Sequence, residues 1–337
     1  MKLSDNKAKM TKRDNNVELL RIVLMFMIVI LHMISHGLGF IPSLINNTKN
    51  IHINGFHFFL FNFTIIGVNS FVLISGYYGV NYKRKSLIAI WKQALMSSLL
   101  ILIVYCLIEG KAPIRFIVQS FIPILSNYWW YLSTYVLLFI LSPFINNSIE
   151  KLDQKEFTFL IIMLFLCNCL GGYFFGTFNA NEGYSILNFL FLYLLARYCK
   201  VYNIFSKLKF TISFYLIVLL INFVIGYFLY QHNYYKYVLK FYSYNNPLIT
   251  LNSVLFVIVF LKMRVNIELR NISKLTLGVY LFHDNDLVRN NLPVLFVENN
   301  NVLYVLSVGF LIFCGTAFIE FCRQKLSSLL EKIPKIL

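Results

Sequence analysis

The feature that most constrains this chain is a succession of apolar segments, each about as long as a membrane is thick. A helix needs about 20 predominantly apolar residues to cross the hydrocarbon core of a bilayer. The sequence therefore predicts an all-α, polytopic membrane bundle, with one transmembrane domain at residues 17–322 between tails at 1–16 and 323–337. Polar and Gly/Pro breaks mark ten such helices, at residues 17–38, 56–80, 86–108, 128–145, 157–177, 184–198, 210–230, 247–261, 272–282 and 302–320.

Composition excludes the soluble classes of protein. Hydrophobic residues make up 58% of the 337 residues and charged residues 13%, whereas soluble domains average roughly 45–50% and 25%. A net charge of +16 would favour nucleic acid as the partner of a soluble chain. In a membrane protein, basic loops set the orientation instead. We therefore expect the lipid bilayer, and no nucleic acid, as a partner.

Lysine and arginine are distributed unevenly between alternate loops. With ten spans, the loops and tails on one side of the membrane hold 22 of the 30 Lys and Arg residues, and the opposite loops hold 6. Cytoplasmic loops carry the excess of basic residues in membrane proteins. Both termini are therefore predicted to be cytoplasmic.

Ionisable residues, among them Glu18, Arg21 and His32, lie in the first apolar window, where a charge is costly and points to function. Arg21 and His32 are 11 residues apart, so they share one helix face about 16.5 Å apart along the axis. This spacing predicts a polar track in which Arg21 holds an anionic group and His32 transfers protons. Alternatively, Glu18 pairs with Arg21 and His32 bonds to a neighbouring helix. No metal is expected at His32 and His36, because the first two helices offer no third ligand.

Basic residues around the start of the third window have two interpretations. Lys83, Arg84 and Lys85 follow the second window, and together they predict a phosphate-binding site at the cytoplasmic face. They are also ordinary determinants of membrane orientation. Lys92 lies about two turns into the third window, where a lysine needs an anionic partner or a polar cavity.

Four short motifs resemble those of one known family: Glu18-Leu19-Leu20-Arg21 with His32, the run from Gly67 to Tyr77, Trp130-Tyr131-Leu132, and the run from Leu277 to His283. The chain is similar in these motifs, and over essentially its whole length, to the acyltransferase-3 family of bacterial membrane proteins, which O-acylate, most often O-acetylate, surface and exported carbohydrates. The resemblance implies an O-acetyltransferase of the bacterial cell membrane that uses acetyl-CoA as co-substrate, acts on a carbohydrate and has no tightly bound cofactor.

The resemblance also implies roles for individual residues. Arg21 and His32 match the essential pair of the family, and Glu18 matches the acidic residue that precedes the arginine by three. His32 is expected to act as general base on the acceptor hydroxyl or to carry the acetyl group. Donor binding is expected at Lys83, Arg84, Lys85 and Lys92, and stabilisation of the oxyanion at Asn69, Ser75 and Tyr77. Trp130 and Tyr131 are expected to stack a sugar ring of the acceptor or, alternatively, to belong to an aromatic belt at the membrane interface. His283 is expected to face the acceptor or, alternatively, to be a surface histidine.

The role of Asn69 and a second functional hypothesis stay open at this point. Many family members have Asp at the position of Asn69, so no role for a carboxylate carries over there. The second functional hypothesis is a transporter or flippase for a lipid-linked glycan, in which the polar track is a permeation path and no bond forms. Such a protein is expected to contain broken helices and internal repeats, and neither is evident in the sequence.

Overall fold

A computed structural model describes residues 15–330, and these residues are helical with no β-strand among them. Residues 1–14 and 331–337, most of the two predicted tails, lie outside the described part. The α-helices of the described part are α1 (Asn15–His32), α2 (Phe40–Ile45), α3 (Gly55–Thr64), α4 (Gly67–Tyr78), α5 (Arg84–Glu109), α6 (Ile114–Phe121), α7 (Trp130–Ile149), α8 (Gln154–Phe165), α9 (Tyr173–Phe175), α10 (Ile186–Val201), α11 (Ile204–Lys207), α12 (Thr211–Gln231), α13 (Tyr235–Phe241), α14 (Pro247–Lys262), α15 (Arg270–Ser273), α16 (Thr276–His283), α17 (Asp286–Arg289) and α18 (Val302–Leu330).

Seven helical stretches within residues 15–330 are long and apolar enough to cross a membrane, and they correspond to seven of the ten predicted windows. The other three windows fold into shorter pieces: α10, α14, and the pair formed by α15 and α16. The chain is therefore a multi-pass membrane protein, while the count of ten spans and the side of the termini stay predictions. The seven stretches are Asn15–Gly37, Gly55–Tyr78, Arg84–Glu109, Trp130–Ile149, Gln154–Phe175, Thr211–Gln231 and Val302–Leu329.

The first helix, α1, is surrounded by protein rather than by lipid. It contacts α3, α4, α14, α15, α16 and α18, and 67% of its apolar window is buried, against 11% for Val302–Leu329. Directly after His32 the helix widens into a π-helix, Met33–Gly37. Such widened turns are rare and occur frequently at functional sites. His32 therefore stands at an irregular point of the helix that lies inside the bundle.

Two glycines permit close crossings of the helices that border α1. A Cβ on Gly76 of α4 would lie 2.2 Å from the carbonyl oxygen of Tyr193 on α10. A Cβ on Gly278 of α16 would lie 2.2 Å from Cγ of Glu320 on α18. Small residues let membrane helices approach closely, so the two motifs that contain these glycines fix the positions of α4 and α16.

The buried carboxylate at the second crossing is fully partnered. Glu320 is 0% exposed, and it accepts hydrogen bonds from Nε and Nη2 of Arg323 at 2.7 Å each. Gln93 of α5 donates to the same carboxylate at 3.1 Å. A buried charge needs such partners, and here they connect α5 to α18.

Replacing Gly76 by alanine is expected to destabilise the bundle. The new Cβ would collide with the Tyr193 carbonyl, a backbone atom that moves only if α10 moves, at a cost of about 1–3 kcal/mol. Thermal unfolding of the detergent-purified protein checks this prediction. Gly315→Ala is the matched control, because a Cβ there meets no atom within 4 Å. A Gly76→Ala protein that melts at the same temperature as this control would contradict the close crossing.

Candidate active site

A cavity of about 390 Å³ lies inside the bundle beside α1. Residues of α1, α4, α5, α7, α15 and α16 contribute to its lining. This central cavity collects side chains that are far apart in the sequence. Five residues predicted from the sequence line it: Arg21, His32, Ser75, Trp130 and Tyr131.

At one end of the central cavity, His32 contacts the end of α16. His32 Nδ1 lies 3.1 Å from Nε2 of His283 and 3.5 Å from Oδ1 of Asp284. The side chains of His283 and Asp284 are 1% and 3% exposed. His283 was expected to face the acceptor, but the structure places it against His32, and it is not among the described residues that line the central cavity.

An arginine holds the acidic partner of His32 in place. Nη1 of Arg289 lies 3.0 Å from Oδ1 of Asp284, and Nη2 of the same guanidinium pairs with Asp286. Arg289 belongs to α17, whose first turn is capped by the side chain of Asn285. Arg289 was not among the site residues predicted from the sequence. Its three-residue spacing from Asp286 was the available signal.

The other end of the central cavity carries two cations. Arg21 Nη1 lies 3.6 Å from Oε1 of Glu18, as its spacing predicted. Glu18 is 1% exposed and accepts a hydrogen bond from the Ser273 hydroxyl at the end of α15. Lys274, the next residue along the chain, lines the central cavity together with Arg21. Two cations at one end of a cavity favour an anionic group such as a phosphate.

The residues predicted to bind the donor do not join Arg21 and Lys274 in the lining of the central cavity. Lys83, Arg84, Lys85 and Lys92 are all exposed. None of the four is among the described residues that line the central cavity. Lys92 was expected to need an anionic partner or a polar cavity. The structure places its side chain on the exposed side of α5, so its role in donor binding stays a prediction.

Asn69 belongs to a buried hydrogen-bond network and is not among the described residues that line the central cavity. Its amide nitrogen donates to the Tyr244 carbonyl at 2.7 Å, and its amide oxygen accepts from Asn188 at 3.3 Å. Asn188 in turn accepts from Asn168 at 2.9 Å. This buried network connects α4 to α10 and to the segment before α14, so both groups of the Asn69 amide are occupied.

The other two oxyanion candidates differ from each other in position. Ser75 lines the central cavity, donates its hydroxyl hydrogen to the Phe71 carbonyl at 3.0 Å and lies 3.4 Å from the Tyr135 hydroxyl. Tyr77 is not among the described lining residues. Its hydroxyl contacts the Lys200 ammonium at 3.3 Å. Of the three predicted residues, only Ser75 is therefore in position to face a substrate in the cavity.

Aromatic rings form one wall of the central cavity. The ring centroids of Trp130 and Tyr244 are 5.8 Å apart and nearly parallel, with 28° between their planes. Tyr131 meets Tyr280 edge to face at 5.9 Å. All four rings line the cavity, and flat aromatic faces are suited to stack against sugar rings. Tertiary structure adds Tyr244 and Tyr280 to the pair predicted from the sequence.

Metal ligation has no evident place in this arrangement. Within residues 15–330, no group of three His, Cys, Asp or Glu side chains is positioned to hold a metal ion. The polar groups of the central cavity are instead suited to proton transfer at one end and to anion binding at the other.

The family model of the acyltransferase-3 family, described as an acyltransferase domain, matches residues 14–321, nearly the whole chain. The chain belongs to the acyltransferase-3 family. It is an acyltransferase, and the matched region contains every residue of the central cavity. Membership sets aside the alternative of a transporter without acyl transfer. Searches of the curated proteins and of the solved structures gave no significant match.

Replacing Asn69 by aspartate is expected to destabilise this acyltransferase. The carboxylate would face the Tyr244 carbonyl with no hydrogen to donate, and a buried unsatisfied acceptor costs about 1–3 kcal/mol. The melting temperature of the purified protein measures the loss. Asn46→Asp, at an exposed position after α2, is the matched control. If both variants melt like the unmodified protein, Asn69 does not support the buried network.

Proposed function

We propose that the protein transfers an acetyl group from cytoplasmic acetyl-CoA to a hydroxyl of a surface or exported glycan, in the bacterial cell membrane. The observation that carries this proposal is a single cavity with Arg21 and Lys274 at one end and His32 at the other. The two ends are about 16.5 Å apart along α1. Coenzyme A carries its phosphates and its thioester at opposite ends of a flexible arm, so a donor of this kind matches the separation.

Binding of the donor is assigned to the cation end of the central cavity. Arg21 and Lys274 attract the phosphates, and the guanidinium of Arg21 offers paired donors to phosphate oxygens. The side chain of Arg21 is 29% exposed, so it remains accessible to a ligand while Glu18 holds one side of it. The exposed bases Lys83 and Arg84, at the start of α5, extend the positive surface and favour approach of the anionic donor.

Transfer of the acetyl group is assigned to the histidine end. As a general base, His32 removes the proton of the acceptor hydroxyl while its oxygen attacks the thioester carbonyl; the C–S bond then breaks and the proton passes to the leaving thiolate. As an acyl carrier, His32 itself attacks the thioester and later gives the acetyl group to the hydroxyl. Both routes give one acetate ester and one free coenzyme A thiol.

Recognition of the acceptor is assigned to the aromatic wall. Trp130 and Tyr131 were predicted for this role, and Tyr244 and Tyr280 lie beside them in the cavity lining. Stacking on aromatic faces holds the apolar side of a sugar ring, while its hydroxyls remain free to reach a base. The glycan would thus lie between the aromatic wall and His32.

Replacement of His32 or Arg21 by alanine is expected to abolish O-acetylation. The first change removes the proton-transfer group and the second removes the donor's phosphate contact. O-acetyl content of extracted surface polysaccharide, measured by NMR in a deletion strain complemented with each variant, tests this, alongside the amount of protein in the membrane. His232→Ala, at an exposed position after α12, is the control. Normal acetylation by both the His32 and Arg21 variants would refute the proposal.

Replacement of Lys274 by alanine is expected to raise the KM for acetyl-CoA about tenfold, because a hydrogen bond to a charged group contributes about 1.5–3 kcal/mol. Transfer of label from [¹⁴C]acetyl-CoA in isolated membranes measures the change. Lys209→Ala, which removes an exposed lysine between α11 and α12, should leave the KM unaltered. A smaller effect is expected for Lys92→Ala. Equal KM values for Lys274→Ala and the unmodified protein would contradict the assignment of the phosphates to this end.

A further inference from the structure

A line of contacts passes from the backbone of α16 to the ring of His32. Nδ1 of His283 lies 2.6 Å from the carbonyl oxygen of Val279. Nε2 of the same ring lies 3.1 Å from Nδ1 of His32. His32 Nδ1 also faces Oδ1 of Asp284 at 3.5 Å. Each ring nitrogen in this line has a partner except Nε2 of His32, the ring that lines the central cavity.

The partners decide where the hydrogens are. A carbonyl oxygen only accepts hydrogen bonds, so Nδ1 of His283 carries a hydrogen, and in the neutral ring Nε2 then holds a lone pair. His32 Nδ1 therefore faces two acceptors, the lone pair of His283 and the carboxylate of Asp284. A hydrogen on His32 Nδ1 satisfies both of them, whereas a lone pair there would repel the carboxylate. The lone pair of His32 is consequently on Nε2.

We propose that His283 and Asp284 are positioning residues that keep the hydrogen of His32 on Nδ1, so that Nε2 is the nitrogen that reacts with substrate. This inference rests on the proposed function of His32 and applies to both of its routes. As a base, Nε2 takes the proton of the acceptor hydroxyl; as a carrier, Nε2 forms the bond to the acetyl carbon.

The charges around His32 fit the cation that either route creates. Protonation or acylation of Nε2 makes the ring positive while its Nδ1–H still faces Asp284. Arg289 pairs with both Asp284 and Asp286, and these three side chains together carry one net negative charge. That charge balances the imidazolium inside the bundle. The arrangement follows the general pattern in which a base is itself oriented by a third group.

The positioning role predicts a different kinetic result from the acceptor-binding role that the sequence suggested for His283. His283→Leu removes the nearer of the two acceptors of His32 Nδ1, so kcat is expected to fall about 100-fold, within the usual range for general acid–base catalysis, while the KM for the acceptor stays within about twofold. His283→Gln retains an oxygen that can accept the same hydrogen bond, so it should recover part of the lost kcat. Asp284→Asn should also lower kcat, because its amide can donate to Nδ1 and favour the wrong hydrogen position.

These values are measured with the full-length protein in liposomes, [¹⁴C]acetyl-CoA as donor and de-O-acetylated surface polysaccharide from the deletion strain as acceptor. His232→Leu is the matched histidine control. Variants are compared only if they melt at the same temperature, and each is reconstituted in the same amount. A raised acceptor KM at unchanged kcat for His283→Leu would overturn the inference, as would equal losses in His283→Leu and His283→Gln. If His32→Ala transfers acetate as well as the unmodified protein, the proposed function itself fails.

Discussion

Burial of ionisable side chains in a membrane bundle is the constraint on which the rest of this structure depends. Such groups are costly in hydrocarbon unless each finds a partner. Two of them on α1, Glu18 and His32, find theirs on the same stretch of chain: Ser273 at the end of α15 for the first, and His283 at the end of α16 for the second. α15 and α16 must therefore lie along α1, and the central cavity forms beside that contact.

The polar contacts also give the two ends of the cavity different chemistry. At the Arg21 end, Glu18 pairs with one side of the guanidinium and leaves the other side accessible. Arg21 can therefore still bind an anionic ligand. At the His32 end, Arg289, Asp284 and Asp286 together carry one net negative charge, and this group orients the imidazole of His32. Close crossings at Gly76 and Gly278 hold the helices that border the cavity, while the separation of Arg21 and His32 is set by the rise of α1.

Several site residues were predictable because their signals are local, and others were not. Arg21 and His32 share a helix face through the 3.6-residue period alone, and both line the cavity. The exposed bases before and within α5 and the amide of Asn69 were assigned to the site from their residue type. Residue type does not state which way a side chain points once helices pack, and α5 directs Lys92 outward, while α10 and the segment before α14 occupy the amide of Asn69.

The sequence by itself determined the membrane environment, seven of the ten predicted helices as stretches of spanning length, membership of the acyltransferase-3 family and the common face of Arg21 and His32, since all of these depend on local hydrophobicity, period and motif. Only the tertiary structure decided the partners of that pair. Lys274, Asp284 and Arg289 are more than 240 residues from α1 in the chain, and no local pattern fixes how one helix is rotated against another. Contacts across helices depend on close packing at sites such as Gly278, which settles the rotation of α16 and so places His283 against His32.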